Sequence, residues 1–279
     1  RQGFTGSDNT HSNTQQHTMS DSKLKKASLA VLGAIVFASD KFSTVAEMVE
    51  DRASATKFPE AVKHFKALEV LREELAPVAR AFPLDSPALK EAAQKEGAIV
   101  KTVHFVRHGQ GVHNLAALTS VNKCDCKNPG NPPVCPYVQP EVKDARLTEL
   151  GESQATALQE RAAQCGATLV VVSPLQRALQ TAHLAFLKAD PRPPFQALED
   201  AREQIGAHVC DCRRPIADAK AQFPYVCFDG LAEGEDPLWT TAREPKTGVA
   251  ARAQNVVRWL RTRPEENIAV VCHSSFLLT

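Results

Sequence analysis

The sequence predicts an α/β fold: a three-layer α/β/α sandwich around a mostly parallel β-sheet. Short apolar runs rich in β-branched residues recur at residues 98–106, 167–174 and 267–276, and runs of this length and composition are typical of buried strands. Stretches of good helix formers lie between them, as at residues 147–166 and 247–263. Strands that alternate with helices pair in parallel, with helices covering both faces of the sheet.

The composition limits the kinds of partner. The chain has 279 residues, 43% of them hydrophobic, which suffices for one sizeable domain plus further material. Its 33 basic and 32 acidic residues leave a net charge of +1, so we expect no nucleic-acid partner, and any positive patch must be local.

The N-terminal part differs in composition from the rest of the chain. Residues 1–18 are polar and predict a disordered tail, or an upstream artefact if Met19 is the biological start. Residues 19–98 predict a helical N-terminal extension. Within it, three lysines precede an apolar stretch from Ala27 to Ala38. This stretch predicts either a signal segment or an amphipathic or buried helix, and it is too short for a stable membrane span.

The remainder of the extension predicts helices over residues 43–81, followed by a linker over residues 82–97 that Pro83 and Pro87 punctuate. A cytoplasmic location is favoured. If residues 19–38 act as a targeting signal, the protein is instead secretory or organellar.

The apolar run at residues 98–106 ends abruptly in polar residues. Arg107, His108 and Gly109 follow it, and Gly109 permits an unusual backbone conformation. A helix is predicted to begin near Asn114 with that residue as its N-cap. Such strand-to-helix junctions lie at the carboxyl edge of an open sheet, where ligands bind. The alternative is an ordinary surface histidine beside a strand-end charge.

Two later strands end in a similar way. The run at 167–174 leads into a helix that carries Arg177 one turn in, and the run at 267–276 contains His273 at its strand end. Thr148 is the predicted N-cap of the helix over residues 147–166. Because parallel strands end at one edge, Arg107, Arg177 and the two histidines can converge. Guanidinium groups present paired donors that match phosphate oxygens, so we expect a phosphoryl pocket.

Eight cysteines include two CDC triplets, at 124–126 and 210–212, with Cys135 and Cys227 beyond them. Their spacing does not match the paired CxxC of common zinc modules, so we predict no metal ligands. In a secreted protein, disulfides are expected among Cys124, Cys126, Cys135, Cys212 and Cys227; in the cytosol, the favoured alternative, they are free thiols. Residues 123–144 are rich in Pro and Gly and predict a long loop that shapes substrate access.

Four motifs, in this order, resemble the histidine phosphatase superfamily and its phosphoglycerate mutase-like fold: RHGQGVHN at 107–114, LTELGESQA at 147–155, SPLQRALQTA at 173–182 and CHSSF at 272–276. The stretch at 202–224, with EDPLW and REP after it, is similar to the plant and fungal phosphoglycerate mutase-like proteins. The resemblance covers residues 99–279, which we take as the catalytic domain. Because the chain ends six residues after His273, we expect this domain to be truncated.

The resemblance implies roles for named residues. His108 is the nucleophile that becomes phosphohistidine, and Glu203 is the general acid and base. The phosphoryl group is surrounded by Arg107, Asn114, Arg177 and His273, while Arg213, Arg214 and Arg243 extend the positive field. No metal or other cofactor is implied. Without the resemblance, the sequence favours simpler interpretations of these residues. Glu203 would be a solvated carboxylate, Arg177 would pair with an acid on its own helix, and His273 would be an ordinary residue at a strand end.

The function implied is hydrolysis of a phosphomonoester, with a small phosphorylated substrate or a phosphoprotein as partner and the oligomeric state open. The alternatives are a phosphoglycerate mutase and a non-catalytic phospholigand-binding or scaffold module. Cofactor-dependent mutases carry a serine and a tryptophan between the RHG motif and the asparagine, where this chain has Gly111, Val112 and His113. This departure favours hydrolysis.

Overall fold

The computed structural model describes residues 31–37, 80–82, 87–95, 98–122, 124 and 135–279, the first two ranges as backbone. The tail predicted over residues 1–18 and the helices predicted over residues 43–79 lie outside the described residues. No helix within the described ranges is long and apolar enough to cross a membrane.

The described strands form one seven-stranded sheet with the order β2-β1-β3-β7-β4-β5-β6. They are β1 (Val31–Phe37), β2 (Arg80–Phe82), β3 (Ile99–Arg107), β4 (Leu169–Val172), β5 (Phe195–Ala197), β6 (Val226–Cys227) and β7 (Asn267–Cys272). Strands β3, β7, β4, β5 and β6 are parallel, whereas β1 pairs antiparallel with both β2 and β3.

The helices lie between these strands. They are α1 (Pro87–Ala93), α2 (Val112–Thr119), α3 (Glu149–Thr156), α4 (Gln159–Gln164), α5 (Gln176–Ala185), α6 (Ile216–Gln222), α7 (Lys246–Thr262) and α8 (Ser274–Leu277). Short 3-10 helices span Pro140–Val142, Glu199–Ala201 and Val209–Asp211. The predicted α/β class is confirmed.

The core lies on both faces of the sheet because side chains alternate along each strand. On β7, Ala269 and Val271 belong to the apolar cluster that includes Leu179 of α5. Ile268 and Val270 belong to the opposite cluster, with Val256 and Leu260 of α7. Burying each such branched side chain contributes about 1.5–3 kcal/mol. Helices therefore cover both faces, as the three-layer prediction requires.

The N-terminal strands correct two predictions. Residues 31–37 of the apolar stretch form β1 rather than a helix, and β2 occupies residues 80–82, the first two of which were expected to be helical. Helix α1 lies within the predicted linker. The sequence of β1, VLGAIVF, is rich in β-branched residues, and pairing with β3 satisfies backbone groups that would otherwise form an open sheet edge.

Two helix predictions also need correction. Helix α2 begins at Val112 with Gly111 as its N-cap, and Asn114 occupies the third position, where its Oδ1 accepts from the Gly111 N–H at 2.9 Å. Residues 147–166 form two helices, α3 and α4, rather than one. The predicted N-cap is confirmed, since the Thr148 hydroxyl accepts from the Gly151 N–H at 3.1 Å.

Candidate active site

Three neighbouring strand ends form the site. β7 lies between β3 and β4, with Cys272 beside Arg107 and Val271 beside Val172. The rings of His108 and His273, one residue past β3 and β7, have centroids 5.0 Å apart. The chain therefore brings the two histidines together, as the parallel sheet predicted.

Two glycines allow the turn after β3 to touch helix α3. A Cβ on Gly109 would lie 2.5 Å from the Gly151 carbonyl oxygen, and a Cβ on Gly151 would lie 2.1 Å from the Gln110 carbonyl oxygen. Gly109 is not among the glycines with positive φ. Close approach, not an unusual backbone conformation, is thus the reason for glycine here.

His108 is buried and held in one tautomer. Its Nδ1 lies 2.7 Å from the Gly109 carbonyl oxygen. Because a carbonyl only accepts, Nδ1 carries the proton and Nε2 carries a lone pair. Burial, followed by the charges of Arg177 and Arg107, lowers the pKa of His108 well below its usual value. The side chain is therefore a neutral imidazole with its lone pair on Nε2.

Two further buried imidazoles surround His108. His273 is fully buried with Nε2 2.8 Å from Ser173 Oγ, and the His113 ring centroid lies 5.8 Å from that of His108. Burial is the main cause that lowers the pKa of both, and Arg177 adds to it. Both are therefore neutral at physiological pH.

Three buried nitrogens of this cluster have no hydrogen-bond partner among the described residues: Arg107 Nε, His113 Nδ1 and His273 Nδ1. The charge of Arg107 acts on both His113 and His273, so the three groups lie near one another. Unpaired buried polar groups cost about 1–3 kcal/mol each. Their concentration around His108 indicates a site for a polar ligand.

Arg177 is fully buried and contacts both His108 and an acid. Its Nε donates to His108 Nε2 at 3.3 Å, and its Nη2 donates to Asp211 Oδ1 at 2.7 Å. Asp211 Oδ2 also accepts from Arg243 Nη1 at 2.9 Å. Arg177 does pair with an acid, but not with one on its own helix. Asp211 orients both arginines.

Glu203 is buried, not solvated, and its carboxylate contacts the first two residues of α8, which follow His273 in the chain. Its Oε2 accepts from Ser274 Oγ at 3.2 Å and from the Ser275 N–H at 3.3 Å, while Oε1 accepts from the Gln204 N–H at 2.8 Å. These contacts fix the carboxyl group at the N-terminus of α8, the helix that begins directly after His273.

The structure does not bring every predicted arginine into this cluster. Arg213 is fully buried, and its guanidinium donates to Glu199 Oε1 at 2.6 Å and to three backbone carbonyls. Since all its nitrogens are used, its role is structural, and we do not retain it as a substrate ligand. Arg214 faces Asp144 and Gln176. The side-chain oxygen of Asn114 accepts the Gly111 N–H at the start of helix α2.

Sequence reasoning missed two residues of the site. His113 lies inside the RHGQGVHN motif, so its imidazole was a visible signal. Asp211 stands between the two cysteines of the second CDC triplet, a pattern that suggests disulfide or metal chemistry rather than a functional carboxylate. The pairing of Asp211 with Arg177 depends on the tertiary fold and has no local signature.

Comparison with known proteins locates the chain in a family. Residues 138–279 match the model of the histidine phosphatase superfamily (branch 1). A phosphoglycerate mutase-like protein of Arabidopsis thaliana is 36% identical over 208 residues, which cover 63% of this chain and 72% of that protein. A probable phosphatase of Schizosaccharomyces pombe is 29% identical over 184 residues, covering 63% and 74%. A solved structure of the ecdysone phosphate phosphatase of Bombix mori with tungstate is 21% identical, with a TM-score of 0.42, covering 63% and 74%.

Proposed function

Because the chain belongs to the histidine phosphatase superfamily, we propose that it hydrolyses small phosphomonoesters through a covalent phosphohistidine on His108. The observation that carries this proposal is the geometry of one side chain. The Nδ1–H of His108 donates to the Gly109 carbonyl at 2.7 Å, so Nε2 carries a lone pair. Near it lie three buried nitrogens that have no hydrogen-bond partner among the described residues.

The first step is attack of His108 Nε2 on phosphorus. The N–P bond forms as the bond from phosphorus to the ester oxygen breaks, and the imidazole becomes a phosphorylated imidazolium whose Nδ1–H still donates to Gly109. Arg107, Arg177 and His273 stabilise the charge on the three phosphoryl oxygens. Arg177 Nε, 3.3 Å from Nε2, lies beside the position that these oxygens take.

Glu203 acts first as the general acid and then as the general base. Its carboxyl group donates a proton to the departing oxygen, which leaves as the alcohol. The resulting carboxylate then accepts a proton from a water molecule that attacks the phosphohistidine, so inorganic phosphate is released and neutral His108 returns. The arginines compensate the phosphoryl charge, the neutral imidazoles donate hydrogen bonds to it, and the proposed chemistry uses no metal.

Gly111 and His113 support hydrolysis over mutase activity. A Cβ on Gly111 would lie 2.6 Å from His113 Nδ1, so a serine such as cofactor-dependent mutases carry in this stretch is incompatible with His113 in its position. The relative from Schizosaccharomyces pombe is named a probable phosphatase, whereas the Arabidopsis thaliana relative is named mutase-like. The mutase reaction therefore remains the competing outcome of the test.

The test compares the wild-type chain with His108→Ala on a panel of small phosphomonoesters in the presence of EDTA. We expect turnover by the wild type and a loss on the order of 10⁴-fold or more in the variant, since a nucleophile is removed. Rapid quenching followed by mass spectrometry should detect an acid-labile phosphohistidine in the wild type alone. A Glu203→Gln control should still form phosphoenzyme from p-nitrophenyl phosphate, whose leaving group needs no proton.

Three outcomes would overturn the proposal. Interconversion of 2- and 3-phosphoglycerate faster than phosphate release, with a bisphosphate primer, would establish a mutase. Phosphate binding with no turnover of any ester would establish a binding module. Equal turnover by His108→Ala would remove the nucleophile from the mechanism.

A further inference from the structure

We propose that Cys124, Cys135 and His208 form a binding site for a thiophilic divalent cation such as Zn²⁺ when the protein is reduced. Their ligand atoms all lie within 4.8 Å of one another, and Cys124 Sγ is 3.2 Å from His208 Nε2. A tetrahedral zinc ion, with bonds of about 2.0–2.3 Å, places its ligand atoms about 3.5 Å apart. Small side-chain movements therefore suffice to complete the site.

Two of the three ligands are positioned by contacts that involve no metal. The carbonyl oxygen of Cys135 accepts from the Val138 N–H at 3.2 Å, and that of His208 accepts from Trp239 Nε1 at 2.8 Å. Between them, the Tyr137 ring centroid lies 4.9 Å from that of His208. Cys135 and His208 are buried. The site is thus largely formed before a cation arrives.

The chemistry of the ligand set selects the cation. Two thiolates and one imidazole favour Zn²⁺ or a similar soft ion over Mg²⁺ and Ca²⁺, which prefer oxygen ligands. His208 Nδ1 lies 3.8 Å from Asp211 Oδ2. Histidines that bind metal through one nitrogen usually direct the other toward a carboxylate, which orients the ring. Asp211 is placed for that role once the ring moves closer.

A second grouping shares the histidine but suits a metal less well. His208, Cys210 and Asp211 also have ligand atoms within 4.8 Å. However, both carboxylate oxygens of Asp211 already accept hydrogen bonds, Oδ1 from Arg177 and Oδ2 from Arg243. A cation bonded directly to Asp211 would lie against these two positive charges. The cation is therefore assigned to the side of Cys124 and Cys135.

The oxidation state of Cys124 controls the site. Cys124 is disulfide-bonded in this structure, and only thiolates bind zinc. A dithiol reductant transfers two electrons and two protons to the disulfide, so its two sulfurs become thiols while the reductant becomes a disulfide. Zn²⁺ then displaces the thiol protons as the metal bonds form. Oxidation and metal binding at Cys124 therefore exclude each other.

The site would connect the phosphate pocket to the chain around it. Cys124 follows helix α2, which carries His113, while His208 lies three residues before Asp211, the partner of Arg177 and Arg243. A bound cation would tie these segments together outside the reacting groups. We therefore expect metal removal to change KM more than kcat.

The test uses the full chain, reduced with dithiothreitol, stripped of metal and exchanged into anaerobic buffer. Titration with Co²⁺ should give one equivalent bound, with sulfur-to-cobalt charge-transfer absorption in the near ultraviolet and tetrahedral d–d bands, both lost when Zn²⁺ is added. Cys135→Ser and His208→Gln should weaken binding by about 100-fold or more. Cys227→Ser, at a cysteine outside the cluster, is the matched control and should bind as the wild type does.

Failure of this proposal is distinct from failure of the phosphatase proposal. No Co²⁺ uptake by the reduced wild type, or equal uptake by Cys135→Ser, would overturn the metal site. If Cys135→Ser does not fold by circular dichroism, Cys124→Ser answers the same question at a less buried position. Phosphohistidine formation, measured on the same metal-free samples, requires His108 and uses no metal ion. Loss of that signal in every sample would contradict the proposed function while leaving the metal result intact.

Discussion

Two regions of this domain differ in whether their positive side chains are paired with carboxylates of the protein. The histidine cluster consists of Arg107, His108, His113 and His273. The ion-pair network consists of Glu199, Arg202, Arg213 and Asp236. In the network, Arg202 Nη1 donates to Glu199 and to Asp236, both at 3.0 Å, and Arg213 Nε donates to Glu199 at 2.6 Å.

The network balances its own charge. Burial alone would raise the pKa of Asp236, but the hydrogen bond and charge of Arg202 hold it below its usual value. Arg202 Nε has no hydrogen-bond partner in the part of the chain that the structure describes, yet both Nη groups of that residue face carboxylates. Its buried arginines are thus compensated within the protein.

The histidine cluster does not balance its charge in the same way. Arg107 makes no ion pair with a described residue, and its buried Nε has no hydrogen-bond partner in the described ranges. The imidazoles around it are kept neutral by burial and by the neighbouring arginines. The comparison teaches that burial alone does not identify a functional arginine. Arg213 finds its counter-charge inside the network, whereas Arg107 has none among the described residues. Arg177 combines both features, since it pairs with Asp211 and also contacts His108.

The largest expected effect is on the network. Arg213→Ala leaves Glu199 with one fewer cation in a buried setting, and such a loss lowers the free energy of unfolding by about 3–5 kcal/mol. Urea unfolding monitored by circular dichroism measures this change. At a temperature where the variant stays folded, its KM for a phosphomonoester should equal that of the wild type. Unchanged stability with a KM raised tenfold or more would instead make Arg213 a substrate ligand.

Arg107→Ala should behave in the opposite way. Removing one preorganised donor to a developing oxyanion costs about 100- to 1,000-fold in rate, so kcat/KM should fall by that factor. The free energy of unfolding should stay the same or rise slightly, because a partly buried positive group is removed whose buried Nε has no partner among the described residues. Steady-state kinetics and urea unfolding on the same sample measure both. A variant as unstable as Arg213→Ala with full kcat/KM would break the distinction between the two regions.

Acid should destabilise the protein through the histidine cluster. The pKa values of His108, His113 and His273 are lowered in the folded state, whereas unfolded histidine titrates near 6.5. Below about pH 6.5 the unfolded chain therefore binds more protons than the native one. Stability must fall as pH falls, by up to about 1.4 kcal/mol per pH unit for each histidine.

The measurement is urea unfolding at several pH values from 7.5 to 5, for the wild type and for His113→Gln. Carboxylates titrate alike in both proteins, so the difference in slope reports His113, and we expect the variant to have the shallower slope. Saturating orthovanadate should stabilise the native state of the wild type. Parallel slopes would show that His113 is not kept neutral by its surroundings.

The strands that carry the site could be predicted from the sequence because local patterns define them. Each ends where an apolar run meets Arg107, Ser173 or His273. Because the strands are parallel, these ends lie at the same edge of the sheet. Strand β1 could not be predicted in this way, since VLGAIVF suits a strand or a helix equally and its partner, β3, lies far along the chain.

The roles of the arginines could not be predicted from the sequence in the same way as the strands. Arg213 and Arg214 stand next to each other in the sequence and look alike, yet one is enclosed by Glu199 and backbone carbonyls while the other faces Asp144. Only the fold decides which cation meets which acid. The same holds for His208, because the cysteine spacing carries no sign of a histidine that approaches from a distant loop.

The smallest expected effect concerns His113 and Gly111, and it tests how the histidine cluster is shaped. His113→Ala removes one neutral donor whose Nδ1 has no partner among the described residues, so KM for a phosphomonoester should rise by about tenfold, the equivalent of one modest hydrogen bond. Gly111→Ser should be more harmful alone, because its Cβ would lie 2.6 Å from His113 Nδ1.

Combining the two changes should relieve that clash. In the double variant His113→Ala with Gly111→Ser, the loss in kcat/KM should be smaller than the product of the two single losses, with a coupling of about 0.5–3 kcal/mol. Val112→Ala with Gly111→Ser is the control, and its losses should multiply without coupling. Additive losses in both pairs would mean that His113 does not restrict position 111, and the structural argument that favours hydrolysis over mutase activity would lose its support.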